Sequence, residues 1–312
     1  MVPCAVRAFL QVAALSFGLV LSTQAASPRE VTLWAINDFH GALLPLPSGQ
    51  GGVVNMASLL AERRALWPSG IFVAAGDLIG ATPMTSALLS DEPTLLALQS
   101  MGLAASSVGN HEFDAGAPEL LRKAKGECGE QGCVFKLFGG HPFPYLAANV
   151  LDGSTGVSIL PGFRVIDAGG VKVGIAGVVT RSTPAIVMST GIQGLKFIDE
   201  ARALNDLIPK MREAGAQIMV ALLHEGAELG ESGKALAGDP SDACAGLHGP
   251  MLELSKRIAQ DYAVLISGHS HQVYTCKVGG RLLTQAGSNG RYITEIKLKL
   301  NGQGRVLSAG AT

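Results

Sequence analysis

The sequence lacks a surplus of charge of either sign. Lysine and arginine together number 24, and aspartate and glutamate 25, so the formal net charge is −1. A strongly basic chain would suggest nucleic-acid binding and a long acidic run would suggest a disordered tail, and this sequence has neither. It also lacks internal repeats and long linkers. We therefore expect the 312 residues to form one domain, with no nucleic-acid polymer as partner.

Only one apolar run, at the N-terminus, approaches the length of a membrane span. Arg7 precedes an apolar stretch over residues 8–21, and small residues follow at 23–25. A membrane-spanning helix needs about 20 apolar residues, whereas a positive start, a short apolar centre and a small-residue end are typical of a signal peptide. We expect residues 1–25 to be a signal peptide. The mature protein is then periplasmic or secreted and does not associate with a membrane.

Cysteine is scarce. Outside the predicted signal peptide the chain has only Cys128, Cys133, Cys244 and Cys276. An even number in an exported chain favours two disulfides, with three possible connectivities. Cys128 and Cys133 flank a four-residue segment suited to a tight loop, which favours this pair and leaves Cys244 with Cys276. The alternative is a four-cysteine zinc site, which the lack of a C-x-x-C spacing disfavours.

Short apolar runs alternate with helical segments along the chain. The predicted strands span residues 31–36, 71–75, 104–108, 217–223 and 262–267. The predicted helices span residues 54–66, 82–101, 115–125, 200–214 and 250–260. Apolar runs on both sides of Gly169 and Gly170 predict a hairpin, and residues 272–300 predict three further short strands. This rhythm is typical of an α/β protein with an at least partly parallel sheet.

Residues that can bind metal ions follow five of the predicted strands directly. They are Asp38, His40, Asp77, Asn110, His111, His224, His269 and His271. The carboxyl ends of parallel strands meet at one edge of a sheet, and residues two apart on an extended chain point the same way. The set includes five of the seven histidines. Burial of so many titratable groups without a metal ion or a charge partner would be costly, so a metal site is favoured over a purely structural role.

The order of these motifs resembles that of the calcineurin-like metallophosphoesterases. The order is D-x-H, G-D, G-N-H-E, a lone histidine after a buried strand, and G-H-x-H. The strings at residues 37–41, 109–114 and 268–274 resemble the 5′-nucleotidase branch more closely, and the resemblance extends from about Val31 to about Leu300. It implies a four-layer α/β/β/α sandwich of two mixed β-sheets flanked by helices. Residues 26–312 would form this metallophosphatase domain.

The resemblance also implies a set of metal ligands. The first ion would be held by Asp38, His40 and His271, the second by Asn110, His224 and His269, and both by Asp77. Mixed nitrogen and oxygen ligands suit Zn, Mn or Fe ions better than Ca²⁺ or Mg²⁺. Two such divalent ions activate a water molecule near neutral pH and offset charge on a phosphoryl group.

His111 and Asp114 have a different implied role. His111 follows a predicted ligand directly, so its side chain should project away from Asn110. By resemblance it is the catalytic histidine that stabilises or protonates the departing oxygen. Asp114 would accept a hydrogen bond from it and orient it. The alternatives are that His111 is a further ligand and that Asp114 caps a helix, and Glu112 is interpreted as structural.

The resemblance leads to an expectation about the substrate. Members of the 5′-nucleotidase family carry a C-terminal nucleotide-binding domain with an aromatic clamp, and we expect this domain to be absent here. We predict an exported metal-dependent hydrolase of small phosphate esters, with nucleoside 5′-monophosphates favoured. The alternatives are a 2′,3′-cyclic nucleotide phosphodiesterase, a nucleotide-sugar hydrolase, a thiosulfohydrolase-like enzyme, or a binding module without turnover. Assays on a panel of esters would separate them.

Overall fold

A computed structural model describes Met1, residues 29–230 and residues 246–312. Residues 2–25 of the predicted signal peptide and Cys244 lie outside the described residues. The predicted disulfide between Cys128 and Cys133 is present, and Cys276 is also disulfide-bonded. Among the described helices, none has both the length and the apolar character that a membrane crossing requires.

The described strands and helices follow the predicted order closely. The strands are β1 (Arg29–Ile36), β2 (Ile71–Ala75), β3 (Leu103–Ser107), β4 (Tyr145–Leu146), β5 (Val150–Asp152), β6 (Phe163–Asp167), β7 (Lys172–Val179), β8 (Leu195–Phe197), β9 (Ile218–His224), β10 (Glu228–Leu229), β11 (Leu247–His248), β12 (Tyr262–Ser267), β13 (Val273–Val278), β14 (Arg281–Ala286), β15 (Thr294–Leu300) and β16 (Val306–Ala311). The helices are α1 (Val53–Leu66), α2 (Met84–Ala87), α3 (Glu92–Ser100), α4 (Ala117–Lys125), α5 (Thr183–Ile186), α6 (Glu200–Glu213) and α7 (Pro250–Arg257), with short 3₁₀ helices at His111–Phe113 and Ser189–Ile192.

Two six-stranded mixed sheets form the centre of the molecule. Sheet I has the order β16-β15-β1-β2-β3-β4. Strands β1 to β4 are parallel, β15 is antiparallel to β1, and β16 is antiparallel to β15. Sheet II has the order β13-β14-β12-β9-β7-β6, with four parallel central strands and antiparallel strands at both edges. The predicted hairpin is the antiparallel pair β6 and β7. Within each sheet, the parallel strands therefore end at a common edge.

The two sheets pack face to face, and helices cover their outer faces. Alternate residues of the central strands, such as Val31 and Leu33 in β1 and Val220 and Leu222 in β9, form the core between the sheets. The outer face of sheet I packs against α1, α3 and α4, and that of sheet II against α6 and α7. Both faces of each sheet are thus buried, which explains the nearly continuous apolar runs of the central strands. The predicted four-layer α/β/β/α architecture is confirmed.

The structure differs from the prediction in two places. The helical region predicted over residues 82–101 is divided into α2 and α3, because Ser90 and Asp91 adopt left-handed φ angles of 51° and 58°. Asp91 accepts a hydrogen bond of 2.6 Å from the Ser86 hydroxyl, which holds the chain in this turn. In addition, β16 was not predicted, and it extends sheet I beyond β15.

Asn37 ties the two sheets together where β1 ends. Its side-chain nitrogen donates a hydrogen bond of 2.5 Å to the Gly287 carbonyl, and its side-chain oxygen accepts one of 2.7 Å from the Ala286 amide. Gly287 and Ala286 lie at the carboxyl end of β14 in sheet II. The carboxyl edges of the two sheets therefore meet, and the loops that follow β1, β2, β3, β9 and β12 come together there.

Candidate metal centre

The predicted ligands form two clusters at this shared edge. One consists of Asp38, His40 and His271, and is called here the Asp38 cluster; the other consists of Asp77, His224 and His269, and is called the Asp77 cluster. In each, one nitrogen or oxygen atom from each residue lies within 4.8 Å of the others. Each cluster combines ligands from loops of both sheets. The donor set of imidazoles and carboxylates fits Zn, Mn or Fe ions.

The Asp38 cluster has the Nε2 lone pair of His40 directed inward. The Nε2 atoms of His40 and His271 are 3.1 Å apart, and Nε2 of His271 is 3.3 Å from an Asp38 carboxylate oxygen. Nδ1 of His40 is 2.9 Å from the Gly80 carbonyl oxygen. Because a carbonyl only accepts hydrogen bonds, Nδ1 carries the hydrogen and Nε2 presents its lone pair to the cluster.

The Asp77 cluster has the same arrangement around His224, which is fully buried. Nδ1 of His224 donates to the Ala75 carbonyl oxygen over 2.8 Å. Its Nε2 lies 3.0 Å from an Asp77 carboxylate oxygen and 3.1 Å from the Asn110 side-chain oxygen. Three electron-rich atoms therefore converge, and the structure brings Asn110 to the place where the sequence predicted it.

Asp77 lies between the two clusters. The carboxylate oxygen that is 3.0 Å from Nε2 of His224 is also 3.9 Å from Nε2 of His40. One carboxylate thus faces ligands of both clusters, as a bridging residue must.

The electrostatics of the Asp77 cluster favour a cation. Burial alone would raise the pKa of Asp77, but the attraction of His224 and a hydrogen bond from it hold that pKa well below its usual value. Burial alone would lower the pKa of His224, but Asp77 and Asp38 raise it to about 10. The cluster therefore stabilises positive charge, and a metal ion bound by the same atoms would take the place of a proton on His224.

His111 lies beside the clusters without belonging to either. Its ring centroid is 5.2 Å from that of His40, and 33% of its side chain is exposed. Its Nδ1 is 2.8 Å from an Asp114 carboxylate oxygen. This hydrogen bond raises the pKa of His111 against the opposing effect of burial. The pair is arranged as the sequence predicted for a histidine oriented by a carboxylate.

The alternative interpretation of Asp114 as a helix cap was wrong. Helix α4 begins at Ala117, its N-terminal cap position is Gly116, and no side chain caps it. Asp114 instead ends the short 3₁₀ helix His111–Phe113. This short turn places the Asp114 carboxylate against the imidazole three residues earlier.

Left-handed backbone conformations, not extended strands, direct most of the ligands. Five predicted ligands have positive φ angles between 47° and 74°: Asp38, His40, Asp77, His269 and His271. Asp38 and His40 share one cluster, as predicted. The predicted reason, an extended chain, is wrong, because β1 ends at Ile36 before both residues. Such conformations are unfavourable for residues other than glycine and occur preferentially at functional sites.

Glycines let the ligand loops approach one another. A Cβ atom on Gly109 would lie 2.1 Å from an Asp77 carboxylate oxygen. A Cβ atom on Gly268 would lie 2.6 Å from the Ala75 carbonyl oxygen and 3.1 Å from an Asp38 carboxylate oxygen. Any side chain at these two positions would force the clusters apart.

Glu112 and Gln285 support the ligand loops from beneath. Glu112 is buried and accepts backbone hydrogen bonds from Asp77 at 2.9 Å, Leu78 at 2.8 Å and Gly109 at 2.5 Å. This agrees with its predicted structural role. Gln285 was not predicted, and within its strand it is one of three polar residues, with Arg281 and Thr284, so the sequence does not single it out.

A cleft of about 490 Å³ adjoins the Asp77 cluster at His269. Its lining includes Arg181, Glu200, Glu225 and Arg257. The cleft thus offers both carboxylates and guanidinium groups within reach of the candidate metal centre.

No protein-family model matches the chain, but several curated proteins are similar to it. It is 32% identical over 289 residues to an endonuclease of Bacillus subtilis, 31% over 319 residues to a cell wall protein of Listeria monocytogenes, and 26% over 266 residues to a 5′-nucleotidase of Vibrio cholerae. These alignments cover 88%, 94% and 83% of this chain, but only 22%, 40% and 43% of the relatives. The chain therefore spans less than half the length of these relatives.

Solved structures share the fold. A calcineurin-like phosphoesterase from Bacillus subtilis superimposes with a TM-score of 0.70 at 22% identity, over 91% of this chain and 90% of that one. A putative 5′-nucleotidase from Staphylococcus aureus gives a TM-score of 0.70 at 20% identity, over 91% of this chain and 54% of that one. The two-sheet sandwich is the architecture that these proteins have in common with this chain.

Proposed function

Because this chain belongs to the 5′-nucleotidase family of the calcineurin-like metallophosphoesterase superfamily, we propose that it is an exported hydrolase of phosphate esters that works with two divalent metal ions. Nucleoside 5′-monophosphates are the favoured substrates. The observation that supports this proposal best is the position of Asp77 between two clusters of ligands.

In this proposal the two clusters hold the two ions. Asp38, His40 and His271 bind the first, Asn110, His224 and His269 the second, and Asp77 contacts both. Bound ions of this kind act as Lewis acids on the phosphoryl group and lower the pKa of a nucleophilic water. Because His40 and His224 donate their Nδ1 hydrogens to backbone carbonyls, Nε2 is the atom of each ring that would face an ion, and His224 would release a proton from Nε2 on binding.

His111 is proposed as the proton donor to the leaving oxygen. Its Nδ1 is engaged by Asp114, so Nε2 is the atom left to donate a proton. The hydrogen bond to Asp114 favours the protonated ring, which is the form that an acid catalyst needs. Its exposed position beside His40 supports a role toward substrate more than a role as a ligand.

The organic part of the ester is proposed to enter the cleft beside His269. The carboxylates of Glu200 and Glu225 can accept hydrogen bonds from sugar hydroxyl groups. Arg181 and Arg257 can donate to carbonyl or phosphate oxygens. These contacts would position a nucleoside, and they would also suit other polar esters.

Cleavage of phosphodiesters is the second candidate. It is favoured by the 32% identity to an endonuclease over 88% of this chain. A nucleic-acid polymer is a less suitable substrate, because the formal net charge of −1 provides no excess of cations for a phosphate backbone. A short cyclic diester would not need such an excess.

The deciding experiment measures hydrolysis by the purified protein with added Mn²⁺ or Zn²⁺, with released phosphate as the readout for monoesters and chromatographic separation of the products for the other substrates. The substrates are AMP, 2′,3′-cyclic AMP, UDP-glucose, an aryl phosphate and a short DNA. Fastest turnover of AMP is expected, and the Asp77→Asn variant serves as a control against contaminating phosphatases. Two bound ions without hydrolysis of any ester would instead identify a binding module.

Export is proposed on the predicted signal peptide and the disulfide between Cys128 and Cys133, since disulfides persist in oxidising compartments. Similarity to a cell wall protein agrees with it. N-terminal sequencing of the protein recovered from the periplasm or medium tests this, and a mature chain starting near residue 26 is the expected result. Recovery only from the cytoplasm, with the leader attached, would contradict it.

A further inference from the structure

Residues 268–272 carry one predicted ligand of each metal ion. His269 belongs to the Asp77 cluster, and His271 to the Asp38 cluster. Only one residue separates these two histidines, so the conformation of this short segment sets the position of one cluster relative to the other.

The backbone of residues 268–272 has an unfavourable conformation at both histidines. His269 and His271 adopt φ angles of 74° and 55°. Residues other than glycine keep such left-handed conformations only where the surrounding structure holds them. Contacts with the surrounding structure must therefore hold residues 268–272 in this conformation, and several of these contacts come from Gln285.

The Gln285 side chain forms hydrogen bonds with both ends of the segment and contacts its middle. Its nitrogen donates to the Gly268 carbonyl over 2.7 Å. Its oxygen accepts from the Gln272 backbone amide and lies 3.2 Å from the Ser270 hydroxyl, which donates its hydrogen to the Ala227 carbonyl. One amide thus contacts the residue before His269, the residue between the two histidines, and the residue after His271.

Gln285 is itself held rigidly. It is 1% exposed and lies in β14, which pairs with β12 on one side and β13 on the other. Its nitrogen is also 3.3 Å from the Tyr274 hydroxyl, which fixes the orientation of the amide. The next residue, Ala286, donates to Asn37 in sheet I. The support for the segment therefore comes from the centre of the fold.

We infer that Gln285 is a positioning residue for both metal ions, and that it acts through His269 and His271. This inference rests on the ligand assignment of the proposed function. It predicts that the loss of one buried amide weakens two metal sites together, whereas the loss of a ligand such as His271 weakens chiefly its own site.

Two variants test the inference. Gln285→Met keeps the length of the side chain but removes both the donor and the acceptor. Gln285→Glu keeps an acceptor for the Gln272 amide and places a second acceptor against the Gly268 carbonyl. Loss of partners that orient metal ligands typically weakens metal affinity by about 10–100-fold. We expect a loss of this size at both sites for Gln285→Met, and a smaller loss for Gln285→Glu.

Thr284→Val is the matched control. Thr284 is the preceding residue of β14 and is fully buried. Within the described part of the chain its hydroxyl has no hydrogen-bond partner. Its replacement also changes a buried polar side chain of the same strand, yet it should leave both Mn²⁺ affinities unchanged.

The measurement is calorimetric titration of Mn²⁺ into metal-free protein, well below the unfolding temperature, with the fold checked by circular dichroism. Parallel weakening of both sites in a folded variant is the expected result. A folded variant that is less heat-stable but binds both ions normally would overturn the inference, and so would weakening of one site alone. If Gln285→Met does not fold, Gln285→Glu decides by the same criteria.

Wild-type protein that binds two ions but hydrolyses no ester would contradict the proposed function and leave this inference standing.

Discussion

At the scale of single residues, the hydrogen-bond partner of Nδ1 distinguishes two kinds of histidine in the site. His40 and His224 donate to backbone carbonyls, which directs Nε2 of each ring toward the position of a metal ion. His111 donates to the Asp114 carboxylate, which favours the protonated ring. The same side chain is thus prepared as a ligand in one place and as an acid in another.

His111→Ala should reduce turnover while leaving both metal ions bound. A positioned acid contributes about 10²–10⁴-fold to the rate, so a fall in kcat of that order is expected. Metal content by elemental analysis should remain at the wild-type level. His141→Ala, at an exposed histidine, is the control and should behave as wild type. Loss of metal together with activity would show that His111 is a ligand.

Asp77→Asn should remove metal from both clusters. Its carboxylate oxygen lies within 3.0 Å of His224 and 3.9 Å of His40, and a neutral amide offers less charge to hold two cations. Elemental analysis after dialysis should show both ions depleted. Asp206→Asn, at a residue whose side chain is 70% exposed, should retain them. Full occupancy in Asp77→Asn would exclude the bridging role.

At the scale of secondary-structure elements, the start of α6 supplies a test of stability. Asp199 caps this helix by accepting a hydrogen bond of 2.9 Å from the Arg202 amide, and it also accepts one of 2.5 Å from Arg257. Removal of such a cap typically costs about 1 kcal/mol. Asp199→Ala should therefore lower the free energy of unfolding by about that amount at pH 7.

The pH dependence of this effect has a definite sign. Burial opposes the shift, but the hydrogen bonds from Arg257 and Arg202 hold the pKa of Asp199 below its usual value. A carboxylate with a lowered folded-state pKa stabilises the protein above its unfolded-state pKa of about 4 and loses that effect as the pH falls. The difference between wild type and Asp199→Ala, measured by urea unfolding, should shrink in acid. A difference that grows in acid would contradict the assignment, and Asp206→Ala should change little at any pH.

Elements defined by local apolar pattern could be predicted from the sequence, and those defined by distant partners could not. The strands at Ile71–Ala75 and Tyr262–Ser267 have the predicted bounds, because both are continuous apolar runs that end at glycine or a polar residue. The break between α2 and α3 depends on the left-handed conformations of Ser90 and Asp91. Neither residue is a glycine, so the sequence does not indicate a break there. β16 has a weak apolar pattern and is defined mainly by its pairing with β15.

The candidate site shows the same division. Asp38, Asp77, His224 and His271 could be identified because each belongs to a motif at the end of a strand, and the structure brings them together. Gln285 could not be identified, because its significance lies in contacts to residues 13 to 17 positions away, beyond a turn of the chain.

At the scale of the whole molecule, each candidate metal ion would connect the two sheets. Asp38 and His40 follow β1 in sheet I, whereas His271 follows β12 in sheet II. An ion bound by these three residues would add a link between the sheets to those already made by the core and by the contacts of Asn37. Metal binding should therefore stabilise the packing of sheet on sheet.

Removal of the ions should lower the unfolding temperature as well as abolish activity. A ligand at 100 times its dissociation constant stabilises a protein by about 2.7 kcal/mol. For a domain of this size that corresponds to about 4–5 °C in Tm. Thermal unfolding with and without EDTA measures the difference, and added Mn²⁺ should restore it. An unchanged Tm in protein that has demonstrably lost its ions would contradict the link between the sheets.

The left-handed ligands have a consequence for how this sequence can change over generations. Glycine would adopt the positive φ angles at five positions with less conformational strain than the residues present, which are Asp38, His40, Asp77, His269 and His271. A population of variants selected only for remaining folded, with neither metal ion nor substrate present, would drift toward glycine at these positions. The aspartates and histidines that stand there are thus a record of selection for chemistry at the expense of ease of folding.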